Sequence, residues 1–226
     1  MTPESMYLGD PAPGKEKMST PAIEIQNITV RFQGKCVRQN FSMQVNPGEK
    51  VVLDGRSGIG KSTILRCLMG FVAPETGTVR INGQALTPES IWTLRTQMAY
   101  VPQEVDLGSG QLRQWIEAPF AFKVNSHNRK NLDRLPKLFD RFLLSADLLD
   151  SDVSKLSGGE KQRMAIISAI LLDRKIILLD EPTSAMDRFA GKAVLDFLRS
   201  IPDSTILAIS HDQAVLDLAD RIVNVS

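Results

Sequence analysis

Three consecutive segments constrain this chain more than any others. They are the apolar run Val51-Val52-Leu53, the loop Gly55-Arg56-Ser57-Gly58-Ile59-Gly60-Lys61-Ser62-Thr63, and the helix-like run Ile64-Leu65-Arg66-Cys67-Leu68-Met69. Strand, glycine-rich loop, then helix is the context in which G-x-x-x-x-G-K-[ST] serves as a phosphate-binding loop. Glycines let successive backbone N–H groups turn inward around an anion, and the following helix adds its positive dipole end. In that pattern Lys61 reaches the terminal phosphates and the Ser62 hydroxyl holds Mg²⁺. A plain turn between strand and helix would account for three glycines, but not for the Gly-Lys-Ser-Thr that ends the loop.

A phosphate loop alone leaves kinases, G-proteins, helicases and transport ATPases open. A second stretch narrows the choice: Leu156-Ser157-Gly158-Gly159-Glu160-Lys161-Gln162-Arg163, a helix-like run to Leu172, then Ile176-Ile177-Leu178-Leu179-Asp180-Glu181-Pro182. With these residues in this order, the chain from about Ala22 to its end resembles the ABC-type ATPases, the nucleotide-binding subunits of ATP-binding cassette transporters. That resemblance implies an α/β fold, with a P-loop NTPase core on a mostly parallel sheet, an antiparallel β layer and a helical insertion at about 104–155.

It also implies ATP hydrolysis with Mg²⁺, powering transport through a separate membrane-spanning permease. By the same resemblance, residues 55–63 bind nucleotide, joined by Ser157, Gly158, Gly159 and Asp187 at an intersubunit site. Ser62, Gln103 and Asp180 attend the metal, while Glu181, Gln103 and His211 serve the reaction. Two copies of the chain are expected to pair head to tail around two ATPs. The stretch Trp115-Ile116-Glu117-Ala118-Pro119-Phe120 faintly resembles small stand-alone subunits of metal export, and import of small solutes is equally compatible.

Charge and composition exclude several partners. Lys plus Arg number 27 against 26 acidic residues, so no basic field advertises nucleic acid. Cys36 and Cys67 are too few and too far apart for a zinc site or a disulfide framework. No apolar run approaches the ~20 residues of a membrane-spanning helix, and no leader resembles a signal peptide. The expected location is therefore cytoplasmic, peripheral on the membrane through the partner. The alternative is an ABC-type ATPase acting on DNA or ribosomes. DNA-repair members carry long heptad coiled coils, whereas only about fifty residues lie between the two halves here, without sustained heptads. Ribosome-acting members usually carry two cassettes. A small-molecule kinase would leave Leu156–Glu160 unexplained.

Residues 1–21 are rich in Pro, Gly, Ser and Thr, which predicts a disordered tail. Alternation predicts strands at Ala22–Val30 and Phe41–Val45. Phe32, closing the first strand, is either a core aromatic or, by the resemblance, the ring that stacks on adenine. Asp54 is an acid just before the phosphate loop and weakens anion binding unless it turns away. Further strands are expected at Gly77–Gly83 and Met98–Val101, the latter closed by Gln103. Helical spacing covers Leu112–Phe122 and Asn128–Leu144, with His127 in the polar turn between as a solvated residue. Trp115, Phe120 and Phe122 either pack internally or form a docking groove. Ser157 and Glu160 form an S-x-x-E capping box, which starts a helix whatever else it does. The uninterrupted apolar run Ile176–Leu179 predicts a strand buried on both faces, ending at Asp180 and Glu181. Thr205–Ser210 predicts another, ending at His211.

Overall fold

The computed structural model describes residues 20–32 and 35–225; the expected N-terminal tail lies almost wholly outside them. The first half of the chain gives β1 (Ile23–Phe32), β2 (Lys35–Val45), β3 (Lys50–Asp54), α1 (Lys61–Leu68), β4 (Thr76–Ile81), β5 (Gln84–Ala85), α2 (Ile91–Arg95) and β6 (Met98–Val101). The second half gives α3 (Leu112–Glu117), α4 (Leu135–Arg141), α5 (Gly158–Leu171), β7 (Ile176–Asp180), α6 (Arg188–Ser200), β8 (Thr205–Ile209), α7 (Gln213–Leu216) and β9 (Arg221–Asn224). They build two sheets. One is antiparallel, in the order β2-β1-β4-β5; the other runs β6-β7-β8-β3-β9 with every pairing parallel.

The central parallel strands β3, β7 and β8 are apolar on both faces because each face meets a different core. Val51, Leu53, Leu178, Leu207 and Ile209 pack with Ile64 and Leu65 of α1 and with the antiparallel sheet. The intervening Val52, Ile177, Leu179, Ile206 and Ala208 face Met164, Ile167 and Val194 of α5 and α6. This is period-two alternation split between two layers, which a sequence shows only as a continuous apolar run. Parallel register then brings the strand ends to one edge: Val101 pairs with Leu179, Asp180 with Ile209, and Ile209 with Leu53.

β1 departs from simple alternation. Ile23 and Ile25 are buried, and so are Ile28 and Val30, which shifts the buried set by one residue. The register slips between Ile25 and Ile28, and Asn27 there has φ 49°. A bulge of this kind keeps both halves of the strand on the core face. Ser42 secures it, accepting from the Asn27 amide at 2.8 Å and donating to Asn27 Oδ1 at 3.0 Å.

The insertion between β6 and α5 is more broken than its helical spacing predicts. α3 gives way at Ala118 to a 3-10 turn through Ala121, and Ser126–Arg134 is also 3-10 before α4 begins. Pro119 and Pro136 each sit in the first turn of the segment that follows, where the missing N–H and fixed φ are tolerated. Phe120 is buried and Trp115 packs against the same core, so they pack internally, while Phe122 remains exposed. The exposed aromatics Phe71 and Trp92 lie elsewhere, both under the Arg95 guanidinium at 4.8 and 4.9 Å. No helix among the described residues is long and apolar enough to cross a membrane.

Candidate active site

The phosphate loop leaves the C-terminal end of β3 and turns into α1. Gly60 occupies the residue before α1 with φ 96°, a left-handed conformation that side-chain-bearing residues avoid. A Cβ there would also lie 2.7 Å from Val37 Cγ1, so no larger residue fits. No side chain caps α1, which leaves its first amides free for an anion. Lys61 is buried, and its ammonium bridges back over the loop to the carbonyls of Gly55 at 2.5 Å and Arg56 at 3.0 Å. The loop is thus closed by the cation that its sequence assigns to phosphate.

The Asp54 carboxylate is taken up by the entry to the loop, and Asp54 does not line the cleft that Lys61 and Ser62 share. Its Oδ1 accepts from the Gly55 amide at 2.7 Å, and its carbonyl accepts from Val225 N at 2.7 Å. The acid therefore anchors the entry to the loop.

Behind the loop, Ser62 Oγ donates to Asp180 Oδ1 at 3.1 Å. Asp180 is 4% exposed, and burial pushes its carboxyl above the usual range, with Glu181 adding to the rise and Ser62 opposing it. A carboxylate desolvated in this way gains from a nearby cation. Glu181 follows with φ 46°, an uncommon backbone conformation for glutamate. Its Oε1 lies 3.1 Å from His211 Nδ1, and its Oε2 accepts from Ser210 Oγ at 3.1 Å.

Ser57, Gly58, Gly60, Lys61, Ser62 and Thr63 share one cleft of ≈ 350 Å³ with Gln103, Asp180, Glu181 and His211. Arg66 and Val37 also line it. Arg66 is four residues after Ser62, so helical spacing places it on the same face; Val37 and Ser210 carried no such signal. Phe32 ends β1, but its side chain lies outside the described residues. His127 and the insertion do not line the cleft.

Ser157, Gly158, Gly159 and Asp187 are absent from that lining. Ser157 caps α5: its Oγ accepts from Glu160 N at 3.3 Å, and Glu160 Oε2 accepts from Ser157 N at 2.8 Å. A Cβ on Gly159 would meet the Ala185 carbonyl at 2.7 Å, so the glycine permits the start of α5 to press against the turn 184–187. Asp187 caps α6 through Phe189 N and Ala190 N, and the Ala190 amide foremost holds its carboxyl below the usual range. Arg163 ties α5 to the insertion through the carbonyls of Phe142 and Leu143 at 2.9 and 3.0 Å. Gln162 ties it to Pro102, beside Gln103, at 3.2 Å. A larger cleft of ≈ 680 Å³ lies between α6 and α7, lined by Lys192, Asp196, Asp217 and others, with no phosphate loop among them.

A glycine-rich loop facing Asp180 and Glu181 at the C-terminal edge of a parallel sheet is the arrangement of the P-loop nucleotide-binding proteins. The chain belongs to the ABC transporter family, which residues 38–184 match, and it is an ATP-binding ATPase of that family. The energy-coupling factor transporter ATP-binding protein EcfA1 of Bacillus subtilis is 32% identical over 207 residues, covering 89% of this chain and 74% of the relative. A bacterial Atm1-family ABC exporter with ATP bound aligns with a TM-score of 0.78 and 26% identity; the match covers 96% of this chain and 39% of the exporter. A dimeric ATP-binding cassette in a post-hydrolysis state with ADP and Pi gives a TM-score of 0.77 at 24% identity, covering 89% and 93%, and shares the fold.

Proposed function

We propose that this chain hydrolyses Mg-ATP to drive transport through a separate membrane permease, and that each complete ATP site is shared between two copies. One observation carries the reading. Ser57, Gly58, Gly60–Thr63, Gln103, Asp180, Glu181 and His211 line one cleft, while Ser157–Gly159 cap a different helix outside it. Amides at the start of α5 suit a γ-phosphate, and a second copy would present them to it. The dimeric cassette with ADP and Pi supports this arrangement. The transporter names among the relatives favour transport over action on DNA or ribosomes.

The residues present fit Mg²⁺. Ser62 and Asp180 offer adjacent hard oxygens, and Mg²⁺ is usually held by one or two carboxylates with phosphate and water completing the shell. Ser62, Asp180 and Gln103 would hold it, and it would offset charge on the terminal phosphates. Glu181 would accept a proton from the attacking water, Gln103 would orient that water, and His211 would donate to the γ-phosphate. Lys61 would stabilise the β/γ-phosphates and Phe32 would stack on adenine. Asp187 would keep α6 and the turn before it in shape for the partner copy.

The permease would dock on Phe71, Trp92 and Arg95, where two exposed aromatics share one guanidinium. The experiment has two arms. Chelating Mg²⁺ should stop hydrolysis by the purified chain. Trp92→Ala should leave that hydrolysis unchanged, yet move the chain from membrane to soluble fractions when permease is co-expressed. Metal-independent hydrolysis, or unchanged membrane association, would contradict the corresponding half.

A further inference from the structure

Ser210 lies between β8 and His211 and is fully buried. Its hydroxyl accepts from Asp212 N at 3.1 Å and donates to Glu181 Oε2 at 3.1 Å. A serine hydroxyl has one proton, and with the Asp212 amide on a lone pair that proton is directed at the carboxylate. Ser210 N donates to Leu53 O, on the strand that leads to the phosphate loop, at 3.4 Å, and Glu181 N donates to Ile209 O at the end of β8 at 2.9 Å.

The two oxygens of Glu181 are held unequally. Oε1 faces His211, whose side chain is 79% exposed, while Oε2 is held by a buried donor on the parallel sheet. Glu181 itself leaves β7 at φ 46°, so its backbone conformation is unusual and its side-chain aim depends on what receives it. Displacing a reacting group by ~1 Å can cost on the order of 10²-fold in rate.

We propose that Ser210 is a positioning residue for hydrolysis, its hydroxyl fixing the Glu181 carboxylate relative to the phosphate loop. The inference rests on Glu181 acting as the general base, and the test separates the two ideas. Steady-state Mg-ATP hydrolysis by the full chain is measured for Ser210→Ala, and for the isosteric pair Ser210→Thr and Ser210→Val. Each is made alone and with Glu181→Gln. Ser210→Ala and Ser210→Val should lower kcat ~10-fold or more with KM within about twofold, since the lost contact orients rather than binds. Ser210→Thr, which keeps the hydroxyl, should stay within about threefold of the parent. None should slow the Glu181→Gln background further, because the group being positioned is already gone.

Equal losses in both backgrounds would make the role structural, through the Asp212 amide, and overturn the proposal. Threonine and valine behaving alike would overturn it too. If Glu181→Gln alone left kcat unchanged, the general-base reading would fall first, and this inference with it.

Discussion

Glu181→Gln is expected to leave ATP binding near its parent affinity while lowering hydrolysis ~10²–10⁴-fold, the usual contribution of a positioned general base. Glutamine keeps the volume, and its carbonyl oxygen can still accept from Ser210. Only the capacity to take a proton is lost. Because Glu181 approaches His211 and Ser210 rather than Lys61, its substitution does not touch the loop proposed to hold the phosphates. Nucleotide titration set beside single-turnover hydrolysis measures both effects. Turnover within a few-fold of the parent would remove Glu181 from the reaction.

Lys61→Ala should produce the opposite pattern, weakening ATP itself by ~10–100-fold, as expected for a charge-assisted contact of about 1.5–3 kcal/mol. The geometry adds a second consequence. Lys61 also clamps the Gly55 and Arg56 carbonyls, so alanine loosens the loop as well as uncharging it. Binding of adenosine, which lacks phosphates, distinguishes the two. A loss for ATP with adenosine unchanged is the expected result; an equal loss for both would place the damage in the fold of the loop.

The parallel core and the edge that carries the proposed site are legible in the sequence because they are written locally. An apolar run followed by Gly-Lys-Ser-Thr, or by Asp-Glu, states both the strand and what stands at its end. Longer-range devices were not written that way. The bulge at Asn27 depends on Ser42 across the sheet, and simple alternation conceals it. The insertion keeps helical spacing, yet Pro119 and Pro136 divide it into α and 3-10 pieces. Phe120 and Trp115 look equally suited to a core or a groove until α4 and α5 are placed around them. Asp54 reads in sequence as an acid that weakens anion binding, and only the structure shows the loop amide that receives it. Ser210 read as the last residue of a strand, and only the turn at Glu181 brings a carboxylate to it.

The shared site is the central claim, and sedimentation of the Glu181→Gln chain tests it most directly. Without nucleotide the chain should run as a monomer, and with Mg-ATP as a dimer, because a ligand bound by both copies stabilises their association while slow hydrolysis preserves it. Adding Ser157→Arg should hold the chain monomeric in ATP by placing bulk and charge at the start of α5. Loss of the cap itself should cost only about 1 kcal/mol of stability, which thermal unfolding would register separately. ATP affinity in that monomer should match the parent monomer, since Ser157 does not line its own cleft. A Ser157→Arg monomer that bound ATP much more weakly would mean the motif acts within its own chain, and the shared site would be wrong.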